Sequence, residues 1–230
     1  MSSNCPPDIL DSEDLQRPRR PAELAQWVTE TLERLALTPE GKACLRLGRG
    51  LAKQLVEEVY PLSVLAAKLY ADRADLVCVP VLGNQNYDAV FRDMSVCPVE
   101  GQKVEITQAS TDYSTHLRML HLEDRGWAPM LGTIRREDGQ VVAEGAAMSE
   151  HALVEVMLAE IAAAAQRKSK KPYGQDTVLL IFCEDAAFDK NLDQSRLHAV
   201  VQQIRMMCLD FASVHIVGAR GRLFESFSLH

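Results

Sequence analysis

This chain lacks the features that mark membrane and secreted proteins. No apolar run approaches the roughly 20 residues that a helix needs to cross a bilayer. Residues 1–20 are polar and have no apolar core of the kind found in a secretory signal. We therefore expect a cytoplasmic protein that makes no contact with a membrane.

Patterns for disulfides and zinc sites are also missing. The six cysteines form no Cys-x-x-Cys pair, and no histidine follows them at zinc-finger spacing. Several lie among apolar residues, as Cys78 does between Val77 and Val79. We predict buried free thiols, which are typical of a reducing compartment.

The chain has no excess of positive charge and no glycine-rich nucleotide loop. Its 25 Lys+Arg against 32 Asp+Glu give a formal net charge of -7. This charge argues against binding of nucleic acid by a generally basic surface, although an acidic protein can still carry a local basic patch. There is no G-x-x-x-x-G-K-[ST], G-x-G-x-x-G or G-x-S-x-G motif. Triphosphate-binding, dinucleotide-binding and serine-hydrolase functions are therefore disfavoured.

What is present suits one domain with a small appendage, given 230 residues of ordinary apolar content. Residues 1–20 are predicted to be a flexible tail, and Pro21 begins a helix. We assign 1–37 to an N-terminal tail and helix, and 38–230 to an α/β domain. Thr38 caps a second helix, which we expect to continue to an interruption at Pro61.

Hydrophobic periodicity predicts the remaining elements. After the helices come three strands, a helix, a small hairpin turning at 137–140, a helix capped by Ser149, a strand, a helix and two strands. The predicted strands are 76–81, 87–91, 103–108, 177–183, 213–217 and 223–228, and the predicted helices after the first strands are 114–124, 150–171 and 192–209.

Two of the predicted strands each carry an acidic residue where an apolar one would be usual. Asp88 lies in the strand 87–91, and Glu105 lies between Val104 and Ile106 in the next. Two carboxylates on adjacent strands can converge on one hard cation, because Mg²⁺ is usually held by one or two carboxylates, water and substrate phosphate. The pair therefore predicts a site for Mg²⁺ or Mn²⁺.

This order of elements, with one acid in the second strand and another in the third, resembles the PD-(D/E)XK nuclease superfamily. The resemblance implies a restriction-endonuclease-like core (helix, three strands, helix, strand) over about 38–217. It implies that Asp88 matches the motif aspartate and Glu105 the acid of the D/E-x-K tripeptide. Both would bind the metal in a protein that hydrolyses nucleic-acid phosphodiesters.

The sequence departs from the family pattern at the lysine. Thr107 occupies that position and Gln108 follows it, so a hydroxyl stands where the family has a positive charge. Residues two apart share a strand face, which places Lys103 on the face of Glu105 and Thr107. We expect Lys103, or a lysine of the cluster at 168–171, to replace the missing amine.

Other polar groups receive simpler interpretations. The first helix in the family often supplies a further acid, for which Glu57 and Glu58 are the candidates, but a solvated helix face is the preferred interpretation. His116 and His121 are spaced too widely for a zinc pair and are expected at the surface. The acidic pair 184–185 is read as a turn, and the arginines of 218–222 as a turn that could contact phosphate.

Two alternatives stay open. The same fold without catalysis would be a module that binds nucleic acid or another protein. The missing lysine favours this alternative, and the acidic net charge points to a protein partner, with a homodimer as a further option. In the third interpretation, the chain is an unrelated α/β domain whose two acids face water, and Asp88 and Glu105 lie far apart.

Overall fold

The computed structural model describes residues 9–97, 100–110, 112–129 and 131–229. They form a mixed α/β structure, as expected, with one six-stranded and one two-stranded sheet. The helices are α1 (Ser12–Gln16), α2 (Pro21–Ala36), α3 (Pro39–Leu47), α4 (Leu51–Gln54), α5 (Tyr60–Tyr70), α6 (Asp112–Arg125), α7 (Glu150–Lys168) and α8 (Lys190–Arg205). The strands are β1 (Leu76–Pro80), β2 (Ala89–Asp93), β3 (Glu100–Gln108), β4 (Gly132–Glu137), β5 (Gln140–Gly145), β6 (Thr177–Cys183), β7 (Ser213–Gly218) and β8 (Phe224–Ser228).

The large sheet has the order β1-β2-β3-β6-β7-β8. Strands β1, β2 and β3 form an antiparallel meander, β6 and β7 continue parallel to β3, and β8 closes the sheet antiparallel to β7. Strand β6 is buried along its whole length, as its uninterrupted apolar sequence predicts. Strand β1 lies at an edge, which agrees with Pro80 at its end.

Helices cover both faces of this sheet. Leu24 and Val28 of α2 lie in one hydrophobic cluster with Val104 of β3 and Leu180 of β6. Leu179 of β6 belongs to a second cluster, which α7 and α8 build on the opposite face. Because α2 shares its core with the sheet, the boundary drawn at residue 37 does not separate two packed units.

The flexible tail predicted for 1–20 is wrong for residues 9–20. Asp11 caps α1 by accepting the backbone N–H of Asp14 at 2.7 Å. Further along, Arg19 exchanges backbone hydrogen bonds with Cys78 of β1. This bridge covers the outer edge of β1. Residues 1–8 of the predicted tail lie outside the described residues.

The predicted helix start at Thr38 is confirmed, but the break comes earlier than expected. Helix α3 ends at Leu47, where Gly48 adopts a left-handed φ of 55°, and α4 begins three residues later. A π-helical turn, Leu55–Val59, then joins α4 to α5 without interruption. Pro61 lies in the first turn of α5, so its missing N–H affects only the π turn before it.

The predicted hairpin is confirmed as the two-stranded sheet β4-β5. Asp138 (φ 47°) and Gly139 (φ 83°) form its two-residue turn, in which both positions need a positive φ. Among the described residues, no helix combines the length and apolar character that crossing a bilayer requires. Burial is confirmed for three cysteines but not for Cys97 and Cys208, which are exposed. Cys5 lies outside the described residues.

Candidate metal centre

The first strand acid lies where β2 begins. Asp88 directly precedes β2 rather than lying inside it, and the register Ala89↔Val104, continued by one residue, places it opposite Glu105. Its carboxylate Oδ2 accepts the backbone N–H of Ile106 at 2.7 Å, and its own N–H donates to the carbonyl of Val104 at 2.8 Å. Asp88 is therefore fixed against β3 on both sides of Glu105.

The second strand acid is buried and paired. Glu105 is 7% exposed, and its Oε1 accepts a hydrogen bond from Lys168 Nζ at 2.5 Å and one from the Tyr173 hydroxyl at 3.3 Å. A buried charge persists only when it is paired and hydrogen-bonded, so these two groups explain how an interior strand tolerates glutamate. Among the described residues, Oε2 of Glu105 carries no hydrogen bond.

A third carboxylate, that of Glu58, lies near the two acids on the π turn between α4 and α5. Glu58 lies on the π turn and is half-buried. Burial, followed by the negative charges of Asp88 and Glu57, raises the pKa of Glu58 to about 7. The solvated helix face preferred for this position is therefore wrong for Glu58. A π turn of this kind is often found at functional sites.

The charge balance of the site is negative. Burial, followed by the negative charge of Glu105, raises the pKa of Asp88 to about 6, although the Ile106 N–H and the Lys168 ammonium oppose this change. Tyr173 responds in the same direction, since burial and the charge of Glu105 raise the pKa of its hydroxyl. Asp88 and Glu105 thus share the charge of one ammonium group, Lys168, while the negative charge of Asp88 also acts on Glu58. A cation would relieve the repulsion among these carboxylates.

The structure brings Lys168, rather than Lys103, to the acids. Lys103 Nζ pairs with Asp176 at 2.7 Å, and this carboxylate raises the pKa of Lys103. Lys103 and Glu105 lie two residues apart in β3, but Asp176 in the α7–β6 loop is the partner of Lys103. The cluster at 168–171 was the other sequence-based candidate, and its first lysine occupies the site.

The remaining predicted residues do not touch the carboxylates. Thr107 is buried on the face of Glu105, and in the described part of the chain no hydrogen bond joins its hydroxyl to either acid. Gln108 points to the opposite face, where Nε2 donates to the carbonyl of Glu57 at 2.8 Å. Sequence reasoning missed Tyr173, for which the chain offers no motif.

Two groups considered from the sequence belong elsewhere. His121 is buried, contrary to expectation, with Nδ1 2.8 Å from the Trp127 carbonyl, whereas His116 is exposed. Asp185 is fully buried and accepts backbone N–H groups of the 218–223 turn, which confirms the turn interpretation. The side chain of Arg220, in this turn, donates a hydrogen bond to Glu184, which follows β6.

The side chains that could hold the expected cation are few. Within the described ranges, no group of three or more His, Cys, Asp or Glu side chains lies close enough to hold a metal ion. Asp88 and Glu105 remain, and both offer oxygen, the donor that Mg²⁺ and Mn²⁺ prefer. Two carboxylates are sufficient for Mg²⁺, which keeps several waters and takes further ligands from substrate phosphate. The residues therefore fit the cation.

Comparison of the chain with protein-family models, with curated proteins and with solved structures gives no match. The function of this chain therefore has to be inferred from the geometry of this site.

Proposed function

We propose that this protein is a divalent-cation-dependent phosphodiesterase that acts on nucleic acid. Its sheet supports a restriction-endonuclease-like core: α5 precedes the meander β1-β2-β3, and α7 precedes β6, which pairs parallel to β3. The observation that carries the proposal is the contact between Lys168 and Glu105. It supplies, from a neighbouring helix, the amine that the strand motif lacks at Thr107.

Each side chain of the site has a task in this proposal. Asp88 and Glu105 would hold Mg²⁺ or Mn²⁺ through carboxylate oxygens. A cation bound there would polarise a phosphoryl oxygen and lower the pKa of a coordinated water. Lys168 gives one of its three N–H groups to Glu105, which leaves two to orient the attacking water or to stabilise charge on the phosphate.

Glu58 is the group best suited to take a proton. A general base works best when its pKa lies near the operating pH, and burial raises the pKa of Glu58 to about 7. The water oxygen forms a bond to phosphorus, its proton moves to Glu58, and the bond to the leaving oxygen breaks. That oxygen takes a proton from solvent.

The test is cleavage of DNA and RNA by the purified protein with Mn²⁺ or Mg²⁺, combined with calorimetric titration of Mn²⁺. We expect cleavage that Asp88→Asn and Glu105→Gln abolish, and Mn²⁺ binding that Glu105→Gln removes. Glu33→Gln, at an exposed glutamate on α2, is the matched control and should change neither measurement.

Two outcomes would contradict the proposal. If the protein cuts neither DNA nor RNA with either cation, it is not a nuclease. If it also binds no Mn²⁺, the non-catalytic module becomes the better description. The lack of a three-ligand cluster in the described residues is the observation that favours that alternative.

A further inference from the structure

Residues 169–172, in the loop that joins α7 to β6, are flanked by two side chains that contact the same carboxylate oxygen. Lys168, the last residue of α7, and Tyr173 both contact Oε1 of Glu105. The ring of Tyr173 also stacks on Phe211, with 4.5 Å between ring centroids. Because both flanking side chains reach the same atom, residues 169–172 lie at the rim of the acid site.

This loop presents two ammonium groups to solvent. Lys170 and Lys171 are exposed, and no ion pair involves either of them in the described part of the chain. Helix α7 ends at Lys168, so neither lysine lies in its last turn, where a cation would complement the helix dipole. The helix therefore does not explain them.

The distribution of lysine makes this loop unusual in the chain. Three of the eight lysines fall within 168–171, while the whole protein carries a formal net charge of -7. A cluster of one sign on a body of the other sign creates a local field that attracts oppositely charged ligands. The favoured ligand is an anion that approaches the acids from this rim.

We propose, resting on the phosphodiesterase function above, that Lys170 and Lys171 bind backbone phosphates of a nucleic-acid strand. These phosphates would neighbour the one that a cation at Asp88 and Glu105 would bind. Lysine binds phosphate as a point charge, and such contacts fix the register of a strand without reading its bases. A phosphate ligand fits better than an acidic peptide, because Mg²⁺ sites with few carboxylates are usually completed by substrate phosphate.

The experiment measures binding without cleavage. The anisotropy of a fluorescent oligothymidylate is titrated with the full chain in chelator, over a series of salt concentrations. For single strands, the slope of log K against log salt is about -0.7 for each phosphate neutralised. The double variant Lys170→Gln/Lys171→Gln should therefore show a slope shallower by about 1.4, with binding about tenfold weaker at low salt.

A control of equal charge separates local contacts from net charge. Lys42→Gln/Lys190→Gln removes two exposed lysines distant in sequence, and should leave the slope unchanged. Unlabelled polyglutamate is added as a competitor and should displace the strand poorly. Both double variants should melt at the wild-type temperature, because all four side chains are exposed.

The results discriminate between the two proposals. The phosphate site is overturned if the wild type binds no oligothymidylate, if the two double variants give the same slope, or if polyglutamate competes as well as the strand. If the wild type binds with the expected slope change but cuts no substrate with Mn²⁺, the phosphate site stands and the phosphodiesterase function fails.

Discussion

The side-chain amide of Gln108 donates a 2.8 Å hydrogen bond to the backbone carbonyl of Glu57. In a regular helix, that carbonyl would accept the N–H of the residue four positions later, which here is Pro61. Proline has no N–H to give to this carbonyl, and the side chain of Gln108 on β3 donates to it instead. Gln108 thereby ties the turn that carries Glu58 to the strand that carries Glu105.

Gln108→Ala should weaken this link. The Glu57 carbonyl loses the hydrogen bond from Gln108, which we expect to cost about 1 kcal/mol of unfolding free energy. The π turn should loosen, and the pKa of Glu58 should fall towards its ordinary value as solvent enters. Denaturant unfolding measures the first effect, and NMR titration of the Glu58 side chain measures the second.

The matched control is Gln102→Ala, at an exposed glutamine of the same strand. It should leave both quantities at wild-type values. An unchanged Glu58 pKa in Gln108→Ala would show that the hydrogen bond does not position the acid.

Lys168→Met, compared with Lys103→Met, should show which of the two lysines beside β3 the site needs. Removal of the Lys168 ammonium leaves Glu105 buried without a cation. We therefore expect a loss of about 3 kcal/mol of stability and at least a hundredfold loss of cleavage. Lys103→Met breaks a solvent-exposed pair with Asp176, which contributes little to stability, and should keep full cleavage.

Lys168→Arg refines this comparison. It retains the charge and should recover most of the stability, but its planar guanidinium should restore little activity. The measurements are chemical denaturation without metal and single-turnover cleavage with Mn²⁺. Equal losses of cleavage in Lys103→Met and Lys168→Met would contradict the assignment of Lys168.

Asp88→Asn should stabilise the metal-free protein above pH 6. The pKa of Asp88 is raised from 3.8 to about 6 by burial and by Glu105, so the folded state binds more protons than the unfolded state between these values. The contribution of Asp88 to the free energy of unfolding therefore falls as pH rises from about 4 through about 6. Asparagine keeps an acceptor for the Ile106 N–H and removes this loss, a gain of about 2 kcal/mol at pH 8.

With saturating Mn²⁺ the wild type should become more stable than Asp88→Asn, because the cation stabilises only a protein that binds it. The wild-type melting temperature should rise with Mn²⁺, and that of Asp88→Asn should not. Glu33→Gln, the exposed-carboxylate control, should follow the wild type in both conditions. A stability difference between Asp88→Asn and the wild type that does not grow from pH 5 to pH 8 without metal would contradict the raised pKa of Asp88.

Asp185→Ala should destabilise the fold without altering the site. The buried carboxylate accepts the N–H groups of Arg220, Arg222 and Leu223, and alanine would leave these three donors without their acceptor. We expect a cost of about 3 kcal/mol or more. Calorimetry on the folded fraction should give the wild-type Mn²⁺ affinity, and a large change in affinity would mean that Asp185 reaches the metal centre.

The accuracy of the sequence predictions varied between elements. Uniform patterns were read correctly, such as the buried strand β6 and the Asp138-Gly139 turn, because a short apolar run or a two-residue turn is decided by neighbouring residues. The break at Gly48 and the π turn were missed. Both depend on how the helix packs against the sheet, since a glycine or a proline by itself permits several outcomes.

The sequence by itself determined that Glu105 lies in a strand and that Asp88 lies at the start of the strand before it, because strand periodicity and short connections are local properties. Only the tertiary structure decided that Lys168 meets Glu105 while Lys103 turns to Asp176. It also decided that Glu58 lies near enough to the two acids for their charges to raise its pKa. These contacts join residues far apart in the chain, and their pairing depends on where α7 and the π turn settle on the sheet.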